Sequence, residues 1–172
     1  MRADYERHFA WLADARREPP TFSEETFLRI ETERALSICR PDRARDFEQL
    51  YGALLEARRL CGATPLFVLL IPDEFQVEDE LWRAVKDRYR PIEAGAGAAV
   101  GALDRDQPQR LLAEWLERHD IPFVDLLPRF RAQAPLADSG RHLYHLRDTH
   151  LTVRGNRVAG EALAEFLAAR GY

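Results

Sequence analysis

The residues Pro65-Leu66-Phe67-Val68-Leu69-Leu70-Ile71 form an unbroken apolar run that Pro72 closes. A strand with one wet face alternates apolar and polar side chains, because successive side chains point to opposite faces. This run does not alternate. It therefore predicts a strand buried on both faces, as in parallel sheets flanked by helices. Ile121-Pro122-Phe123-Val124-Asp125-Leu126-Leu127 predicts a second strand, with Pro122 limiting its pairing because proline has no N–H.

Helical patterns surround both runs. Tyr5, Phe9 and Leu12 put one apolar stripe on a helix over residues 4–17, which Pro19-Pro20 ends. Ser23, followed by Glu24, Glu25 and Thr26, suits the cap of a helix carrying Phe27, Ile30, Leu36 and Ile38 to about Cys39. A third helix is expected from Asp42 through Phe47, Leu50, Leu54, Leu55 and Leu60, with Gly62 as its C-terminal stop. Further helices are expected over about 77–89, 107–119 and 152–169, the last with Val158, Leu163, Phe166 and Leu167 on one face. The Gly/Ala-rich residues 94–102 read either as a flexible loop or as a small-residue packing segment, and a loop rich in Pro, Ala, Gly and His follows the second strand.

This alternation gives an α/β layered fold, organised as a helical segment over 1–62 and an α/β part over 63–172. Two parallel strands are too few to bury both faces of a sheet. Either polar-looking segments hold further strands, or a second copy or partner chain completes the sheet, or these residues are the C-terminal part of a larger fold.

Composition excludes several function classes. The chain has 172 residues, 46% of them hydrophobic, which is the make-up of a folded globular protein. Its 25 basic and 29 acidic residues give a net charge of −4, and no basic run is interleaved with aromatics, so nucleic acid is not an expected partner. No run approaches the roughly 18 apolar residues of a membrane span, and Met1-Arg2-Ala3-Asp4-Tyr5-Glu6-Arg7 offers no apolar signal core, so a cytoplasmic location is expected. Cys39 and Cys61 make no CxxC or Cys/His pattern and are expected to be reduced structural thiols.

In open parallel sheets, ligands bind beyond the carboxyl ends of the strands. That places interest on Asp73, Glu74 and Gln76 after the first strand, and on Arg147, Asp148 and His150 before the last helix. Asp73, Gln76 and Arg147 are candidate substrate contacts, with a solvated acidic turn as the plain alternative for the first group. In an extended segment Asp148 and His150 project to the same side. The carboxylate can then hold one ring nitrogen and leave the other as a general base. Thr152 can cap the following helix, and Gly155 permits a close backbone approach. By itself Asp-x-His fits a loop-anchoring carboxylate–histidine pair better than a catalytic one. His142, His145, Asp148 and His150 are four potential ligands within nine residues, but a short span seldom converges on an ion unaided, and neither a metal nor another cofactor is expected. Ser139, in Asp138-Ser139-Gly140, sits in turn chemistry. Asp104, Arg105, Asp106 and Gln107 read as a helix N-terminus, and His8 and His119 as helix-surface residues.

Leu143-Tyr144-His145-Leu146-Arg147-Asp148-Thr149-His150-Leu151-Thr152-Val153-Arg154-Gly155-Asn156-Arg157-Val158-Ala159 resembles the final block of SGNH/GDSL-type hydrolases. The Asp-Thr-His spacing is most similar to the branch that includes alginate O-acetyltransferase-like proteins; in more typical members the Asp precedes the His by three residues rather than two. Phe67 to Val77 and Ile121 to Leu126 also resemble parts of that family's C-terminal half, so the likeness covers about residues 63–170. It implies a flavodoxin-like (SGNH) three-layer sandwich, with His150 as base and Asp148 as its orienter, acting on a small-molecule or carbohydrate-type ester by hydrolysis or acetyl transfer. The family pattern also requires a serine, a glycine and an asparagine in earlier blocks. The three serines here, Ser23, Ser37 and Ser139, lack the Gly-Asp-Ser context, and Asn156 is the sole asparagine. The nucleophile is therefore expected from an upstream region or a partner chain. The alternative is an inactive remnant or interaction module that dimerises or pairs with another chain through the incomplete sheet.

Overall fold

The computed structural model of the chain describes residues 18–95, 103–133 and 143–172. The helix expected over 4–17, most of the Gly/Ala-rich stretch, Ser139 and His142 lie outside the described residues. The chain forms two compact units, one of residues 28–128 and one of the residues up to Phe27 together with Arg129–Tyr172.

The unit of residues 28–128 holds a parallel pair, β1 (Val68–Leu70) and β2 (Phe123–Asp125), in the register Val68↔Phe123, Leu69↔Val124, Leu70↔Asp125. Pro122 sits just before β2 and takes part in the ladder as an acceptor, its carbonyl receiving the Val68 N–H at 3.0 Å. Its missing N–H is thus harmless. The fold is α/β in this general sense: helices dominate around a two-stranded parallel sheet among the described residues. β1 is not covered on both faces as its sequence predicts. Leu70 is buried, Val68 and Leu69 are half-buried, and Ile71 is 53% exposed. Among the described residues each strand of this pair has one neighbour, and β1 is only partly buried.

Five α-helices accompany the pair. α1 (Glu24–Ile38) starts behind Ser23, whose Oγ accepts the Thr26 N–H at 3.2 Å, as a capping serine should. A 3-10 turn (Pro41–Phe47) leads into α2 (Glu48–Cys61), so the single helix expected from Asp42 begins as a tighter spiral. Gly62 ends α2 with φ 55°, a left-handed stop, and its N–H donates to the Arg59 carbonyl. The helix expected over 77–89 is two: α3 (Glu74–Val77) and α4 (Asp79–Gly95), separated by Glu78 in an extended conformation. α5 (Gln107–Arg118) precedes β2.

Two apolar clusters hold this unit together. Ala35 of α1 and Cys39 just beyond its end meet Phe75, Trp82 and Val85, while Leu70, Trp115, Leu116 and Ile121 pack with Tyr51, Leu54, Val68 and Phe123. Tyr51 stacks on Trp115 with centroids 4.7 Å apart, and Trp115 stacks in turn on His119 at 4.0 Å. His119 is therefore part of the helix-end packing rather than a bare surface residue. Of the expected apolar positions of α1, Phe27 is buried and Ile30, Leu36 and Ile38 are half-buried, with Ile38 packed against the first cluster, but Glu31, Thr32 and Ala35 are also turned inward.

The other unit contains α7 (Val153–Ala168) and the segment Leu143–Thr152 that leads into it. α6 (Leu127–Arg131) occupies the start of what the sequence suggests is an irregular loop. Phe130 meets Tyr144 edge-on at 6.3 Å, and Leu143, Tyr144, Val158, Ala159 and Ala162 are buried. No helix among the described residues is long and apolar enough to cross a membrane.

Candidate active site

Residues 143–152 fold into a small hairpin-like loop. Tyr144 and Leu151 form an antiparallel bridge, the His145 N–H donates to the His150 carbonyl at 3.0 Å, and the Thr152 N–H donates to the Leu143 carbonyl at 2.8 Å. Arg147 turns the loop with φ 50°, in the left-handed region that non-glycine residues visit sparingly. The loop is clamped to α7 at its base. Thr152 caps the helix by accepting the Gly155 N–H at 3.1 Å, and its hydroxyl donates to the Leu143 carbonyl at 3.1 Å. A Cβ on Gly155 would lie 2.3 Å from that same carbonyl oxygen, so only glycine lets the hairpin approach the helix this closely.

Asp148 and His150 emerge from this loop as a hydrogen-bonded pair. Asp148 Oδ1 accepts both the His150 backbone N–H at 2.9 Å and the His150 Nδ1–H at 2.6 Å. A carboxylate on Nδ1 selects the tautomer whose Nε2 carries a lone pair, which is the basic nitrogen. The His150 side chain is 82% exposed and its Nε2 makes no hydrogen bond among the described residues. Asp148 is sheltered, at 16%. Its partial burial raises its pKa, but hydrogen bonds from Thr21 and from the side chain and backbone of His150, with the His150 charge, outweigh that and hold the carboxyl below its ordinary value. It is ionised at neutral pH, as an orienting carboxylate must be.

The chain's own N-terminal strap completes the surroundings. Thr21 Oγ1 donates to Asp148 Oδ2 at 2.6 Å, and Glu18 Oε1 meets His145 Nδ1 at 2.6 Å. Backbone bonds run from Thr21 N–H to the Leu146 carbonyl and from Phe22 N–H to the Arg147 carbonyl. Arg147 reaches Glu24 at 3.1 Å. Thr21 and Glu18 are the residues that sequence reasoning did not single out: they stand 127 positions from their partners, and no local pattern signals a pairing over that distance.

The remaining candidates are divided between the two units. Arg147 shares the hairpin with the dyad, whereas Asp73 and Gln76 belong to the unit of residues 28–128 and come together around α3. Gln76 Oε1 accepts the Asp73 N–H at 2.9 Å, and Gln76 Nε2 donates to the Arg105 carbonyl and to Gln109 Oε1. At 1% exposure Gln76 is a buried brace. Asp73 pairs with Arg34 at 3.0 Å. Of the described serines, Ser37 donates to the Arg34 carbonyl inside α1, and Ser23 caps that helix. Asn156 directs its amide at the Leu151 and Thr152 carbonyls. Among the described residues no three His, Cys, Asp or Glu side chains converge as a metal would require.

No family model, no curated protein and no solved structure matches the chain. A neutral imidazole, oriented by an ionised carboxylate and open at Nε2, can take a proton from a hydroxyl and return it to a leaving alkoxide.

Proposed function

We propose that this chain is an SGNH-type esterase or O-acyltransferase acting on small-molecule or carbohydrate-type esters, within a flavodoxin-like three-layer arrangement. The single observation that carries the proposal is the Asp148–His150 pair at 2.6 Å with an open Nε2. On this reading His150 removes the proton of a nucleophilic hydroxyl as its oxygen adds to the ester carbonyl. The resulting imidazolium, held by Asp148, then protonates the departing alkoxide. Arg147, on the same hairpin, is the proposed substrate contact. The nucleophilic serine comes from upstream sequence or a partner chain.

The test is hydrolysis of p-nitrophenyl acetate by the purified protein, wild type against His150→Ala. A general base contributes on the order of 10²- to 10⁴-fold, so the variant should lose at least a hundredfold in kcat while keeping its circular dichroism spectrum. Turnover that survives His150→Ala would transfer the assignment to a second reading, an interaction module, whereas no turnover in the wild type would make hydrolysis dependent on the segment or partner that supplies the serine. That reading is favoured by the exposed Leu50, Leu55 and Leu60 of α2, by exposed Ile71, and by the single pairing of each strand within the sheet.

A further inference from the structure

A carboxylate that orients an imidazole must itself be oriented. The terminal torsion of Asp is broad and nearly two-fold, so one hydrogen bond to the ring leaves the plane of the carboxylate free to swing. Here the two oxygens are divided between partners: Oδ1 takes both donors of His150, and Oδ2 takes the Thr21 hydroxyl at 2.6 Å. Thr21 is in turn held from several sides. Its N–H is bound to the Leu146 carbonyl at 3.2 Å, the next N–H to the Arg147 carbonyl at 3.3 Å, and Glu18 anchors the strap on His145 at 2.6 Å. Pro19 and Pro20 fix the backbone φ between those anchors. The strap is thus bound to the loop at Leu146 and Arg147, with Thr21 opposite the loop tip.

We propose that Thr21 is a positioning residue, its hydroxyl locking the Asp148 carboxylate so that Oδ1 stays on His150 Nδ1 and the neutral ring keeps its lone pair on Nε2. A mere tether between strap and loop would need only the backbone bonds, which a side-chain substitution leaves in place. The effect on turnover rests on the hydrolase reading; the effect on the ring does not.

The experiment is nitrogen-15 NMR of the uniformly labelled full chain, comparing the wild type with Thr21→Val, Thr21→Ala and Thr21→Ser, alongside p-nitrophenyl acetate kinetics. The wild type and Thr21→Ser should show His150 with Nδ1 protonated in the neutral ring. Both hydroxyl-free variants should raise the opposite tautomer severalfold, with amide shifts outside residues 18–24 and 143–152 unchanged. If the hydrolase reading also holds, kcat falls about tenfold in Thr21→Val and Thr21→Ala at constant KM, and Thr21→Ser restores it. A tautomer ratio that is the same in all four proteins overturns the proposal, since the hydroxyl then has no hold on the ring. A shifted ratio without ester turnover upholds the role of Thr21 and makes any hydrolysis dependent on a serine supplied from outside the chain.

Discussion

Glu31 is the residue whose placement costs the fold most visibly. It faces inward from α1 at 0% exposure, neither carboxylate oxygen makes a hydrogen bond of normal geometry, and the Arg34 guanidinium stands 3.5 Å away while also serving Asp73. Burial, reinforced by the Asp73 charge and only partly opposed by Arg34 and the Phe75 backbone, lifts its pKa to about 7 from 4.5. Asp73 is raised too, mainly by its own burial. A raised carboxyl pKa means that the folded state holds a proton the unfolded chain has already released, so stability is greatest below the unfolded value, falls across pH 4.5 to 7, and levels off above. At 1.36 kcal/mol per pKa unit the loss is on the order of 3 kcal/mol. Urea midpoints should therefore drop between pH 5 and pH 8 in the wild type. Glu31→Gln should flatten the profile and be the more stable protein at pH 8 by about 1–3 kcal/mol. Equal slopes in both proteins would show that Glu31 is not the titrating group.

Among the elements, the junction of the hairpin and α7 is the most tightly specified. Thr152 holds the loop by its N–H and hydroxyl, both directed at the Leu143 carbonyl, and starts the helix by accepting the Gly155 N–H. The same carbonyl is the atom that a Cβ on Gly155 would strike at 2.3 Å, and it is backbone, not a side chain able to rotate aside. Gly155→Ala should accordingly destabilise by about 1–3 kcal/mol, the usual range for overpacking, although alanine is the better helix former. Chemical denaturation measures this directly, and a neutral or stabilising result would mean that the hairpin can back away from the helix. The dyad rides on this junction. A stability loss at Gly155 should therefore appear with weakened ester hydrolysis if the proposed function holds.

For the molecule as a whole, the two compact units should answer pH differently. The unit of residues 28–128 contains Glu31 and Asp73, with raised pKa values, whereas the unit carrying the hairpin contains Asp148, whose lowered pKa leaves it ionised from pH 5 to 8. Stability linked to Asp148 is present above its ordinary pKa and is lost only when acid reaches the lowered one. Hydrogen exchange, expressed as protection factors corrected for intrinsic rates, should show α1 and α3 losing protection as pH rises from 5 to 8 while residues 143–152 hold theirs. A uniform loss across both units would instead mark one cooperative transition.

Much of this was legible in the residues because it depends on local chemistry. Ser23, Gly62 and Thr152 act as caps or stops through groups within a few positions of themselves, and each apolar run marks its own strand, although their parallel pairing joins distant parts of the chain. Asp148 and His150, two positions apart, meet as side chains of one short loop. What periodicity could not give was decided by packing. The inward rotation of α1 buries a glutamate, which a hydrophobic pattern assigns to solvent. The break at Glu78 divides a helix whose start is set by a Gln76 bond network reaching Arg105 and Gln109. The Thr21 and Glu18 partnerships join residues 127 positions apart. The sequence by itself determined the two apolar strands, most of the helices with their stops, and the Asp148–His150 pair, since each follows from neighbours along the chain. Only the tertiary structure decided which faces turn inward and what holds the second oxygen of Asp148, because those depend on surfaces brought together by folding.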